Sequence, residues 1–166
     1  MTASTTMQGR ADVMTAEPLF RFLHLASITL WVGGMFFAYV CLRPVAAELL
    51  DPPHRLRLWQ RVFARFFVWV WGAVILIPVS GLVMLTRVGF DAAPLNWHLM
   101  LMIGLAMIAI YLYVFFGPYA ALKRAVAADD WKAGGAELGR IRQAVGINLM
   151  LGFLTIAIAT LGRWLA

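Results

Sequence analysis

Apolar positions in this chain gather into four long runs divided by short basic segments. The runs cover about residues 19–42, 66–86, 97–117 and 144–164. Each is close to the ~20 residues a helix needs to cross the hydrocarbon core. A transmembrane barrel would show shorter segments with strict alternation. The pattern therefore predicts an all-α integral membrane protein, a four-transmembrane-helix bundle. Residues 1–18 are polar, weakly charged and end at Pro18, so they are expected to form a flexible tail ahead of a single transmembrane domain over 19–166. The first run is longer than the apolar stretch of a secretory signal and continues through bulky residues into Arg43-Pro44, so it reads as a retained helix.

The segments between the runs set an expected orientation. Arg43, Arg55, Arg57, Arg61 and Arg65 lie between the first and second runs, and Lys123, Arg124, Lys132, Arg140 and Arg142 between the third and fourth. These are ten of the 14 basic residues. The positive-inside rule places both segments in the cytoplasm and the N- and C-termini outside, in the periplasm if the membrane is a bacterial inner (plasma) membrane. Residues 54–65, HRLRLWQRVFAR, look amphipathic and are expected to lie along the inner interface before the second span begins. Residues 129–143 read as a short cytoplasmic helix with Gly134-Gly135 weakening its middle.

Composition sharpens the class. Hydrophobic residues make up 63% and charged residues 13% of the 166 positions, against about 25% charged in soluble domains. The net charge of +6 is accounted for by arginines flanking the spans and meeting anionic headgroups, with no nucleic-acid partner required. The lipid bilayer is the implied partner, and self-association as a homo-oligomer is left open. Cys41 is the single cysteine, which excludes an intrachain disulfide and a CxxC metal site; near the inner end of the first span it reads as a buried inert thiol. The sequence holds no glycine-rich phosphate loop and no HExxH motif.

Candidate chemistry rests on two of the three histidines. His24 and His98 each lie near the start of an apolar run, and both runs are expected to enter from outside. An ionisable side chain inside a span is costly unless it is paired or ligated, and a neutral imidazole lowers that cost. On the first span Arg21, His24, Trp31 and Met35 share one helical face, and Gly34 admits a close neighbour or a flat ligand. A haem b fits this reading: axial imidazoles from His24 and His98, with Arg21 and Arg87 reaching its propionates. Electron transfer with a quinol, tetrapyrrole or other small redox partner would follow. The competing metal is copper(I), suited by imidazole and thioether donors, with Met102 one turn from His98 as the extra ligand. Asn148 in the fourth run is expected to face the bundle and hydrogen-bond between helices.

Leu23-His24 followed by Trp31-Val32-Gly33-Gly34-Met35-Phe36 resembles the first helix of the CopD copper-resistance family and of the related HemJ-type haem-binding protoporphyrinogen oxidases. Ser80-Gly81-Leu82 is similar to a small-residue-Gly-Leu signature in those proteins, and Trp97 followed by an apolar helix resembles their third helix. The HemJ resemblance implies that His24 is a haem ligand. It also implies a lysine shortly after the tryptophan of the third helix; Met100 and Leu101 occupy that region here, which counts against protoporphyrinogen oxidation. The CopD resemblance implies copper uptake or tolerance. The leading expectation is a haem b-binding redox protein, the alternative a copper(I) permease using His24, His98 and Met102. A third is a cofactor-free assembly subunit that makes contacts through its basic loops.

Overall fold

A computed structural model describes residues 3–162, with side chains from Glu17 onward. All regular elements among these residues are helices: α1 (Ala3–Phe36), a π-helical stretch (Phe37–Leu42) leading into α2 (Arg43–Leu49), α3 (Pro52–Val88), α4 (Leu95–Phe116), α5 (Pro118–Ala127) and α6 (Trp131–Leu161). Four stretches are long and apolar enough to span a bilayer: Glu17–Leu49, Pro52–Val88, Leu95–Ala127 and Trp131–Leu161. Their outer faces carry Phe22, Leu25, Val68, Trp69, Met102 and Met150, which are exposed in the isolated chain. In a bilayer such faces meet acyl chains, and helical hydrogen bonding satisfies the backbone within the span.

Helix limits differ from the apolar runs in an instructive way. Helix α1 begins at Ala3 and holds Pro18 inside it. The basic segment 54–65 does not form a separate interfacial helix; it is the first third of α3, whose 37 residues are continuous. At about 1.5 Å per residue that helix is roughly 55 Å long, well beyond the hydrocarbon core. Its extra turns are held by Leu56, Trp59 and Phe63, all buried. Likewise α6 runs unbroken through Gly134-Gly135. A Cβ at Gly134 would lie 3.0 Å from Leu56 Cδ1, so this glycine serves close packing rather than a break. Hydropathy marks where lipid meets the helix; hydrogen bonding and packing continue past that limit.

Local chemistry sets the ends. Pro52 and Pro53 fill the first positions of α3, where a missing N–H costs nothing. Gly89 closes α3 at φ 91, in the region where only glycine is unstrained. Asp130 caps α6 by accepting the Ala133 N–H at 2.9 Å.

Helix α1 packs chiefly against α3, and α4 and α5 against α6. The two groups join through an aromatic core. Phe67 lies edge-on to Tyr119 at 4.9 Å and stacks with Phe63 at 5.2 Å between centroids. Trp71 meets Tyr111 and Phe115 at 5.4 Å each, and Tyr111 donates to the Phe67 carbonyl at 3.3 Å. Such pairs contribute about 0.5–1.5 kcal/mol each beyond burial. Trp59, which also suits an interfacial belt by its position, belongs to this core. Cys41, expected to be buried, is exposed.

The basic segments meet at one end of the bundle. Arg57 of α3 pairs with Asp129, in the turn before α6, at 3.1 Å and covers the Trp131 ring at 5.1 Å. His54 is exposed there beside Asp51, apart from the other histidines. The opposite end holds the α3–α4 connection, His24 and His98.

Candidate functional site

His24 is docked onto α3. Its Nδ1 lies 2.8 Å from Ser80 Oγ and 3.1 Å from the Ile77 carbonyl oxygen. A carbonyl only accepts, and the Ser80 hydroxyl donates its own proton to the Leu76 carbonyl at 2.5 Å. The network therefore assigns the proton to Nδ1 and leaves the lone pair on Nε2. Among the described residues, Nε2 has no hydrogen-bond partner. Gly81 makes this docking possible, because a Cβ there would approach His24 Cε1 to 3.3 Å. Pro78, inside α3, lacks the N–H that would bind the Val74 carbonyl and so loosens the turn that receives the ring. A metal-binding histidine characteristically has its other ring N–H held by a carbonyl or hydroxyl, which sets both tautomer and ring orientation. His24 has that arrangement.

The remaining expected residues are distributed around it. His98, in the first turn of α4, lies edge-on to Phe90 with centroids 4.7 Å apart. Arg21 is exposed and paired with Glu17 one turn earlier. Arg87 sits over the Phe20 ring at 5.6 Å. Trp31 is buried, edge-on to Tyr111 at 6.1 Å. Gly34 faces Phe66, whose Cε2 would be 2.4 Å from an added Cβ, so its role is close contact between α1 and α3. Met102 is 65% exposed on the outer side of α4.

Nothing in this geometry supports a haem held between His24 and His98. The rings share an end of the bundle but pack on different partners, one on α3 and the other on Phe90. Arg21 is paired with Glu17, and Arg87 lies over the Phe20 ring. Helix rotation decides this, and four nearly uniform apolar runs carry no rotational signal.

Deeper in the bundle Asn148 faces inward and bonds between helices, as expected, and the structure places it near sulfur groups that spacing alone does not bring together. Of the described methionines only Met35 and Met107 are buried. Met35 Sδ accepts from Asn148 Nδ2 at 3.8 Å. Met107 Cε would lie 3.4 Å from a Cβ at Gly152, one turn along α6 from Asn148. Asn148 is 3% exposed, and its Oδ1 is buried with no partner among the described residues. Asn148 and Met35 line a cavity of about 250 Å³ together with Trp31, Phe66, Tyr111 and Val145. The cavity includes neither histidine, and it lies below the ~300–1,000 Å³ of pockets that take drug-sized ligands. The π-helical stretch begins two residues after Met35, and such departures from the α-helix recur at functional sites. Among the described residues no three His, Cys, Asp or Glu side chains group as metal ligands.

A family model, CopD (copper resistance protein D), matches residues 60–161. The chain belongs to the CopD family. The match covers Ser80, Gly81, His98, Met107 and Asn148; His24 lies before it. No curated protein matches the chain, and no solved structure does. Copper thus takes precedence over haem as the metal to be considered. The resemblance of Ser80-Gly81 also acquires a physical content: the serine holds the His24 ring, and the glycine leaves room for it.

Proposed function

We propose that this chain is a membrane copper permease that takes up copper(I) at the His24 end and passes it through the bundle past Met35 and Met107. The observation that carries this reading is the His24 ring, fixed through Nδ1 by Ser80 and Ile77 with Nε2 left as a donor. A cation entering a bilayer must exchange its hydration shell for protein donors, and copper(I) favours imidazole and thioether. His24 supplies the first, and the two buried methionines supply the second without a permanent charge. Copper is the cargo here and changes no oxidation state. His98, at the same end, is a second imidazole that recruits the ion at the mouth, while Met102 on the outer face of α4 is left out.

The orientation proposed with this function has both termini outside and the basic end in the cytoplasm, in a bacterial inner membrane. His24 then faces the side from which external copper arrives. Purified protein in liposomes containing an entrapped copper(I) chelator tests the reading. Copper added outside should reach the chelator with the intact chain, and His24→Ala should return the rate to that of empty liposomes. An unchanged rate in that variant refutes the route. The same purified protein should give a featureless visible spectrum after reduction; a Soret band would restore the haem reading.

A further inference from the structure

The basic end contains a second cavity, which the proposed copper route does not use. It has a volume of about 380 Å³ and lies between the π-helical stretch and α2, the start of α3 and the start of α6. Its floor is apolar and tightly packed, with Leu56, Trp59 and Ile141 among its lining residues. Arg43, Arg55 and Arg142 also line it. Among the described residues none of these three forms an ion pair with a carboxylate. The neighbouring arginines differ: Arg57 pairs with Asp129 and Arg140 with Glu137. Arg43 lies over the Tyr39 ring at 5.1 Å, which leaves its guanidinium N–H groups available.

Three uncompensated guanidinium groups repel a copper ion, so the occupant of this cavity is anionic. Its floor is apolar, so the occupant also carries a hydrophobic part. Trp59 beside the arginines is suited to the boundary between headgroups and acyl chains. We infer that this cavity binds an anionic phospholipid, with the phosphate held by Arg43, Arg55 and Arg142 and the adjoining acyl segment laid on Leu56, Trp59 and Ile141. Basic pockets between membrane helices bind anionic headgroups through this combination of charge and apolar contact. The bound lipid neutralises the arginines and ties the start of α3 and the first half of α6 to the inner leaflet.

Native mass spectrometry of the detergent-solubilised full chain, titrated with phosphatidylglycerol or phosphatidylcholine of identical chains, tests this. The intact chain should bind phosphatidylglycerol at least about tenfold more tightly than phosphatidylcholine, because three basic residues attract its headgroup. Arg55→Gln with Arg142→Gln should remove the preference, and Arg55→Lys with Arg142→Lys should keep it, because the charge remains. Arg57→Gln with Arg140→Gln removes equal charge outside the cavity and should also keep it. Equal binding of the two lipids by the intact chain overturns the assignment. So does an equal loss in the Arg57/Arg140 control, which would make the effect one of general surface charge. Displacement of phosphatidylglycerol by millimolar inorganic phosphate would place the affinity in a free anion instead of a lipid. None of these readouts involves copper, so they leave the transport reading to its own test.

Discussion

Replacing Ser80 by alanine separates ligation by His24 from mere burial of that residue. The substitution deletes the nearer of the two acceptors for Nδ1–H, at 2.8 Å, and leaves the Ile77 carbonyl at 3.1 Å. The hydroxyl is 1% exposed as part of Ser80 and also donates within α3 to Leu76. Deleting it therefore leaves no unpaired group on α3, since both carbonyls retain backbone donors. Net hydrogen bonds contribute about 0.5–1.5 kcal/mol, and interhelical ones in membranes average about 0.6 kcal/mol. Folding stability should fall by no more than ~1 kcal/mol. The metal is more sensitive. Loss of a partner that orients a ligating histidine typically lowers metal affinity by about 10–100-fold, and the surviving Ile77 acceptor places Ser80→Ala near the lower figure.

The assay is a competition titration of copper(I) between a chelator and the purified protein, run in parallel on the intact chain, Ser80→Ala and His24→Ala. Copper(I) affinity should fall about tenfold for Ser80→Ala, equivalent to about 1.4 kcal/mol, and more for His24→Ala. Nitrogen NMR of the imidazole adds a direct readout: Nδ1 should be protonated in the intact chain, with a mixture of tautomers in Ser80→Ala. If His24→Ala abolishes binding but Ser80→Ala leaves affinity and tautomer unchanged, Ser80 does not orient the ligand and the geometric argument fails. If neither variant changes affinity, His24 is only a packed core residue.

Met35→Leu and Met107→Leu conserve volume, so each should cost less than about 1.5 kcal/mol in stability while slowing copper entry into liposomes; a normal rate in the double variant removes the thioethers from the route. Gly152→Ala places a Cβ 2.9 Å from Val32 Cγ2 and 3.4 Å from Met107 Cε, and such overpacking should destabilise by about 1–3 kcal/mol in a thermal melt. An unchanged melting temperature would mean that α1 and α6 are less tightly apposed. Arg57→Ala breaks a pair whose side chains are 52% and 68% exposed, so the effect should stay within about 1 kcal/mol; a larger loss of melting temperature would mark the pair as central to the basic end.

The spans could be read from the sequence because a bilayer imposes a simple length-and-polarity filter, and α4 matches its apolar run to within two residues at each end. The continuity of α3 and α6 through their basic segments could not. There the stabilising side chains, Leu56, Trp59, Phe63 and Ile141, are spaced like any amphipathic face and need the facing helices to show what they bury. The candidate site was half legible. His24 stands out as a polar group in an apolar run, and Ser80-Gly81 as a short signature, but no sequence spacing links positions 24 and 80. Their association follows from α1 packing on α3, which in turn depends on Gly34 admitting Phe66. Spacing singles out Met102, one turn from His98, whereas burial singles out Met107, and no sequence pattern in so apolar a helix distinguishes their faces.

The same arrangement bears on whether copper passes through or stays. A site that retains copper gathers several strong donors around one point. In the proposed route the imidazoles of His24 and His98 stand at one end, and the Met35 thioether lies about 16 Å further along α1 by helix rise, eleven residues from His24. Conduction needs sites that bind well enough to admit an ion and loosely enough to release it. Imidazole at the mouth and thioethers deeper in the bundle would meet that requirement. Adding a donor should therefore act against transport. A histidine placed one turn from His24, as Phe20→His, should raise copper(I) affinity and slow delivery to the entrapped chelator. Affinity and rate rising together would mean that capture at the mouth limits transport, and the argument from weak, separated donors would be wrong.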